Sequence, residues 1–124
     1  MHEPSTGRLF AGVDGGQTST VALVADAGGA ILGHGSSGPC DEIGETGDSR
    51  RLADAVEGAV RAALLDAGLD PGAEFETVVA GLSGYEGRLT GPAPRLRANR
   101  VHLMNDVRVA LAGAIEGPGI VLIA

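Results

Sequence analysis

The sequence predicts an α/β domain with a mixed sheet, in which an antiparallel three-strand meander is followed by alternating helices and strands. Near the N-terminus, short apolar runs are joined by tight turns at residues 14–16 and 27–29, which contain glycine and favour hairpins. An amphipathic segment follows at residues 49–67, and then a near-continuous apolar run at residues 74–83. These two patterns are typical of a helix and of a strand buried on both faces.

The meander is predicted from strands at residues 9–14, 18–26 and 30–35, after a polar N-terminus at residues 1–8 that we expect to be disordered. His34 alternates with Leu32 on the third strand, so it is interpreted as an ordinary solvated histidine rather than a catalytic one. The loop after this strand contains Asp41, Glu42 and Glu45, a pattern typical of a solvated acidic loop.

The second half of the chain is predicted from helix and strand signals in turn. Asp48 is the expected N-cap of the helix at residues 49–67, and Gly68 is its expected C′ residue. Residues 88–97 predict at most a weak helix, because Pro92 and Pro94 interrupt it. The remaining predicted elements are a strand at 101–104, a helix at 107–115 and a strand at 120–124.

Composition excludes several classes of function. The 124 residues are enough for one domain, and the net charge of −7 with a single Tyr and no Trp argues against nucleic acids and anionic membranes as partners. No apolar run approaches the length of a membrane span and no signal peptide is evident, so a cytoplasmic location is expected. The single cysteine, Cys40, excludes an internal disulfide and a site built from cysteines alone.

The turn between the first two strands has the composition of a phosphate-binding loop. Gly15 and Gly16 allow positive φ angles and close approach to the backbone, and successive turn N–H groups can bind an anion. Thr18 adds a hydroxyl group, and Asp14 adds a carboxylate for a metal ion. The alternative is a purely structural hairpin, since Asp-Gly is also a strong hairpin signal. The spacing matches neither common glycine-rich phosphate motif.

A second group of polar residues follows the later strands. Ser83-Gly84 ends the strand at 74–83, and Asn105-Asp106 lies between a strand and a helix. Asn and Asp are favoured helix caps, worth about 1 kcal/mol, so capping is one interpretation of Asn105-Asp106. The other is that the carboxylate accepts a proton from a hydroxyl group that attacks phosphorus, since this sheet edge can face the first turn.

In this order, the motifs Asp14-Gly15-Gly16-x-Thr18, Gly81-Leu82-Ser83-Gly84 and Asn105-Asp106 resemble those of the actin-like ATPase superfamily. The closer resemblance is to the BadF/BadG/BcrA/BcrD-type ATPase domain and the N-acetylglucosamine and glucosamine kinases. It implies a ribonuclease-H-like N-terminal lobe over residues 9–124, with ATP and Mg²⁺ as cofactors.

The resemblance also implies site residues. Asp14, Gly15, Gly16, Gln17 and Thr18 would bind the nucleotide phosphates, with Asp14 on Mg²⁺ and Gln17 standing where the family often has Gly. Asp106 would activate the sugar hydroxyl group as the catalytic base, and Ser83, Gly84, Asn105 and Asp41 would bind the sugar. Asp41 stands where N-acetylglucosamine kinases use Asn, so a preference for cationic glucosamine is a further hypothesis.

The implied function is ATP-dependent phosphorylation of an amino sugar, N-acetylglucosamine or glucosamine, by a longer kinase. The family continues into a second phosphate loop and a second domain, so we expect residues 9–124 to be half of a cleft, completed by a missing C-terminal domain or a homodimer. The alternative is a non-catalytic remnant or a regulatory or assembly module of the same fold. A dehydratase-activating ATPase of the same superfamily is disfavoured, because its iron–sulfur cluster needs more cysteines than Cys40.

Overall fold

The computed structural model describes residues 8–105. Its elements are β1 (Leu9–Gly15), β2 (Thr20–Asp26), β3 (Ile31–Ser37), α1 (Arg51–Asp66), β4 (Phe75–Leu82) and β5 (Ala98–Met104). They form a five-stranded sheet in the order β3-β2-β1-β4-β5. Residues 1–7 of the N-terminus that was predicted to be disordered (1–8), the predicted catalytic base Asp106, the predicted helix at 107–115 and the predicted strand at 120–124 lie outside the described residues.

The sheet is mixed, as predicted. Strands β1, β2 and β3 form an antiparallel meander, whereas β4 runs parallel to β1 and β5 parallel to β4. In the parallel part, Asp14 and Met104 both pair with Gly81. The carboxyl ends of β1, β4 and β5 therefore meet at one edge of the sheet, where open α/β sheets tend to bind ligands.

Helix α1 packs on one face of the meander, mainly against β3 and β2. Its apolar positions recur at three- and four-residue steps and are buried: Leu52, Ala53, Ala55, Val56, Ala59, Val60, Ala63 and Leu64. Gly33 and Gly35 let the helix backbone come close to β3, since a Cβ atom at Gly35 would lie 2.4 Å from the Ala63 nitrogen. The alanine-rich face of α1 thus fits a glycine-containing strand.

The predicted end of the helix is confirmed, and its predicted start is wrong. Gly68 has a φ angle of +74°, and Leu69 N–H donates to the Leu64 carbonyl over 2.9 Å, as expected beyond a helix C-terminus. At the other end, the N-cap is Arg50 and not Asp48. The Asp48 carboxylate accepts a hydrogen bond from the Thr46 hydroxyl instead, which leaves it committed to the loop.

The connection between β4 and β5 contains no helix in the described structure, which corrects the weak helix predicted at residues 88–97. Prolines at 92 and 94 remove backbone donors and favour extended backbone in the residues before them. The connection instead begins with a turn closed by Tyr85 N–H on the Leu82 carbonyl at 3.1 Å. Further along, Thr90 and Gly91 lie against the loop between β3 and α1, through hydrogen bonds to Glu42.

Candidate functional site

The predicted phosphate-binding turn is a four-residue loop between β1 and β2. Gly16 N–H donates to the Ser19 carbonyl over 2.9 Å, and β2 begins at Thr20. Thr18 was predicted in the strand, but the turn keeps it outside, with its side chain exposed. Within residues 8–105, the backbone N–H groups of Gln17, Thr18 and Ser19 have no hydrogen-bond acceptor. The tip of the turn therefore carries donors that are available to an anion.

Gly15 is required for space rather than for an unusual backbone angle. Neither Gly15 nor Gly16 has a positive φ angle, which corrects that part of the interpretation. A Cβ atom at Gly15 would lie 2.4 Å from the Cys40 sulfur and 2.9 Å from Leu82 Cδ2. Both neighbours are buried, so the end of β1 fits its surroundings only with glycine.

Backbone hydrogen bonds join the predicted phosphate-binding turn and the end of β1 to two other loops. Ser83 N–H donates to the Gly15 carbonyl over 2.8 Å, and Cys40 N–H donates to the Gly16 carbonyl over 3.0 Å. The buried Thr20 hydroxyl donates to the Gly38 carbonyl over 2.8 Å. The turn, the loop after β3 and the turn after β4 are thus held together at the same edge.

Asp14 lies at the end of β1 beside this turn and is partly buried. Burial raises the pKa of its carboxyl group, because desolvation disfavours the charged form. Its carboxylate has no hydrogen-bond or ion-pair partner among residues 8–105. The described part of the chain also has no cluster of three or more His, Cys, Asp or Glu side chains arranged for a metal ion. Mg²⁺ is commonly bound by one or two carboxylates together with waters and substrate phosphates, and the role of Asp14 as its ligand stays a prediction.

A cavity of about 470 Å³ lies next to the turn, at the carboxyl end of β4. Its lining mixes apolar and polar side chains: Glu42, Ile43, Leu52, Leu82, Ser83, Gly84, Tyr85, Glu86, Arg88, Leu89 and Thr90. This size and mixed character are typical of a small-molecule site. The predicted sugar-binding pair Ser83 and Gly84 belongs to this lining, and Gly84 has a φ angle of +79° that suits glycine.

Solved structures with a similar fold include sugar kinases. The chain matches a "putative N-acetylglucosamine kinase" from Chromobacterium violaceum at 28% identity with a TM-score of 0.66, covering 86% of this chain and 38% of that one. The described fold is that of a lobe of the actin-like sugar kinases. The predicted resemblance and fold class are therefore confirmed.

Two more distant structures share the fold. A ROK hexokinase from Thermus thermophilus matches at 21% identity and a TM-score of 0.55, over 85% of this chain and 37% of that one. A ROK family glucokinase from Streptomyces griseus, in complex with glucose and AMPPNP, matches at 24% identity and 0.53, over 90% and 38%. The chain thus spans well under half the length of each of these kinases. No protein-family model matches it, and no curated protein matches it significantly.

Two predicted site residues, Asn105 and Asp41, lie outside both the turn and the described cavity lining. Asn105 directly follows β5, at the edge shared with Gly15 and Ser83. Asp41 is engaged by Arg51, whose Nη2 lies 2.9 Å from its Oδ1, and it is absent from the described cavity lining. Cys40 is buried between the turn and β4, and His34 is exposed, as expected for an ordinary histidine. The role of each predicted site residue stays a prediction.

Sequence reasoning missed Glu42. Its carboxylate lines the cavity and accepts hydrogen bonds from Thr90 N–H at 2.8 Å and Gly91 N–H at 2.6 Å. The sequence offers no local signal for this contact, because the donors lie 48 and 49 residues further along the chain. None of the helices within residues 8–105 is long and apolar enough to cross a bilayer.

Proposed function

We propose that the chain forms the N-terminal lobe of an ATP-dependent kinase that phosphorylates an amino sugar, N-acetylglucosamine or glucosamine. The observation that carries this proposal is the hydrogen bond from Ser83 N–H to the Gly15 carbonyl, 2.8 Å long. It joins a residue of the cavity lining to Gly15, the last residue of β1 before the predicted phosphate-binding turn. A sugar in the cavity and a phosphate on the turn would therefore be neighbours, which is the arrangement that phosphoryl transfer requires.

The turn supplies the nucleotide-binding part of the proposal. The free N–H groups of Gln17, Thr18 and Ser19, with the exposed hydroxyl groups of Thr18 and Ser19, offer donors to phosphate oxygens. The Asp14 carboxylate would hold Mg²⁺, which neutralises phosphate charge when bound. An acidic chain with a net charge of −7 needs such local neutralisation to accept a polyphosphate.

The reaction needs a base next to the sugar, and we assign this role to Asp106. In the sequence it follows Asn105, the residue directly after β5, at the same edge of the sheet as Ser83. In the proposed step a sugar hydroxyl oxygen bonds to the γ-phosphorus of ATP and passes its proton to the Asp106 carboxylate. The bond between that phosphorus and its bridging oxygen breaks, and ADP leaves.

We further propose that the substrate is an amino sugar rather than glucose. It is supported by the match to the Chromobacterium violaceum protein, which has higher identity and a higher TM-score than the two ROK structures. The hypothesis that Asp41 favours cationic glucosamine is tested by Asp41→Asn. An unchanged ratio of glucosamine to N-acetylglucosamine turnover would exclude it.

The kinase proposal is tested with the protein that the complete gene encodes. Wild type, Asp106→Ala and Glu74→Ala are compared in an ADP-release assay with glucose, glucosamine and N-acetylglucosamine. Glu74 is the matched control, because it is exposed and precedes β4 at the opposite edge. We expect Asp106→Ala to lose about 10²–10⁴-fold in kcat, as for removal of a general base, while ATP binding persists.

Retained turnover in Asp106→Ala would contradict the assignment of the base. No sugar-dependent ADP release by wild type would contradict the kinase function and favour a non-catalytic module of the same fold.

A further inference from the structure

The carboxylate of Glu42 connects two sides of the cavity. One oxygen accepts from Thr90 N–H at 2.8 Å and the other from Gly91 N–H at 2.6 Å. Glu42 belongs to the loop between β3 and α1, and its two donors belong to the connection between β4 and β5. Hydrogen bonds to a charged acceptor are shorter and stronger than neutral ones. Both carboxylate oxygens thus hold the same short segment.

The two segments lie so close together that there is no space for a side chain at Gly91. A Cβ atom there would lie 2.2 Å from the Ser49 carbonyl oxygen and 3.2 Å from a Glu42 carboxylate oxygen. Ser49 lies at the end of the loop that carries Glu42. The connection therefore lies directly on this loop, with backbone against backbone.

Glu42 is the only source of polar contact across this junction in the described structure. Within residues 8–105, every hydrogen bond between residues 41–49 and residues 88–91 ends on its carboxylate. The neighbouring acid Glu45 instead accepts from the Ser49 hydroxyl at 2.5 Å, inside its own loop. Removing the Glu42 carboxylate would leave the two cavity walls without a hydrogen bond between them.

The cavity lies between the two segments that Glu42 joins. Ile43 lines it from the loop side, and Leu89 and Thr90 line it from the side of the connection. We propose that Glu42 is a positioning residue for the sugar: it fixes the connection at residues 88–91 and so sets the width of the cavity. This inference rests on the proposed sugar-kinase function.

The test compares Glu42→Gln, Glu42→Asp and the control Glu45→Gln in the protein that the complete gene encodes. Gln retains the length of the side chain but replaces one acceptor oxygen with a donor. Asp retains the charge but is one carbon shorter, so it cannot reach both N–H groups in the same way. Glu45→Gln makes the same change of charge on the same loop, outside the cavity lining.

We expect both Glu42 variants to raise the KM for the sugar on the order of tenfold, consistent with the loss of one charge-assisted hydrogen bond, while kcat stays within about twofold of wild type. Glu45→Gln should keep both constants. In ¹H–¹⁵N spectra, the Thr90 and Gly91 amide resonances should move in the Glu42 variants and stay in place in Glu45→Gln. Purely electrostatic action of Glu42 would instead leave Glu42→Asp like wild type.

Several outcomes would overturn the inference. Unchanged sugar KM in Glu42→Gln, with shifted Thr90 and Gly91 resonances, would mean that the contact exists without positioning the sugar. Unchanged resonances would mean that the contact is not made. If wild type phosphorylates no sugar, the proposed function itself fails, whereas an active wild type with an unaffected Glu42→Gln variant rejects the role of Glu42 alone.

Discussion

Replacing Gly15 with alanine tests whether the end of β1 is fitted to its surroundings as closely as the structure indicates. The added methyl group would lie 2.4 Å from the Cys40 sulfur and 2.9 Å from Leu82 Cδ2, whereas favourable contact between such atoms needs about 3.5–4.0 Å. One of the neighbours must therefore move by about an ångström. The Cys40 sulfur cannot move easily, because the side chain is fully buried and its backbone is held by the N–H bond to the Gly16 carbonyl.

The sign of the effect follows from two opposing contributions. In extended backbone without a positive φ angle, exchanging glycine for alanine normally stabilises by about 0.4–1 kcal/mol through the unfolded state. Overpacking a well-filled core costs about 1–3 kcal/mol. We expect the clash to be the larger contribution, so that Gly15→Ala lowers the free energy of unfolding by about 1–2 kcal/mol.

A double-mutant cycle isolates the contact with the sulfur. Cys40→Ala alone should cost about 0.8 kcal/mol for the buried atom that is lost. Combined with Gly15→Ala, it should give a smaller loss than the sum of the two single variants, by about 1 kcal/mol. Rescue stays partial, because the Leu82 contact remains. The matched control is Gly58→Ala on α1, where the nearest atom to the new Cβ is 3.5 Å away, so helix propensity should make it neutral or stabilising.

Urea unfolding followed by far-ultraviolet circular dichroism gives these free energies, since the chain has no Trp and a single Tyr for fluorescence. Wild-type stability in Gly15→Ala would refute the close fit. Strictly additive free energies in the double variant would refute the contact with Cys40.

Two further changes test other parts of the structure. Gly35→Ala should lower the free energy of unfolding by more than about 2 kcal/mol. The new Cβ would lie 2.4 Å from the backbone nitrogen of Ala63, and a backbone atom of α1 cannot rotate away. Equal unfolding midpoints of the variant and wild type would contradict the close packing of α1 on β3. Asp14→Asn should weaken Mg²⁺-dependent ATP binding. It should also raise the free energy of unfolding relative to wild type, by an amount that grows as the pH rises above about 3.9 and levels off above the folded pKa of Asp14. Burial raises the pKa of Asp14, so its stabilising contribution is present at low pH and is lost as the pH rises through its folded pKa; a pH-independent difference in calorimetric midpoints would contradict this reasoning.

The sheet was predictable because its signals are local. Apolar runs with tight turns indicate the meander, and the near-continuous apolar run at β4 indicates a strand with two covered faces. Strand β5 was predicted from residue 101, but it begins at Ala98. Its first half contains Asn99 and Arg100, which are exposed in the described structure, so the hydropathy pattern does not mark them as strand residues.

The start of α1 and the candidate site were less predictable than the sheet. Asp48 has the residue type of an N-cap, but its carboxylate is used by Thr46 inside the loop. Glu42 looks like any acid in a solvated loop, since nothing near it in sequence identifies the Thr90 and Gly91 donors. The composition of the turn indicated anion binding, but it could not show that Gly15 is needed to accommodate Cys40.

The way in which the turn is closed explains how it retains donors for a ligand. In a symmetric antiparallel pair, Gly16 and Ser19 would exchange two hydrogen bonds, and both N–H groups would be used. Here Gly16 N–H is bonded to Ser19, but the Gly16 carbonyl accepts from Cys40 N–H instead. The loop after β3 thus fixes the turn through a carbonyl group and leaves Ser19 N–H without an acceptor among residues 8–105. For the proposed phosphate site, this means that the turn is held in place without a ligand and that none of its three free N–H groups has to be released from a hydrogen bond within residues 8–105.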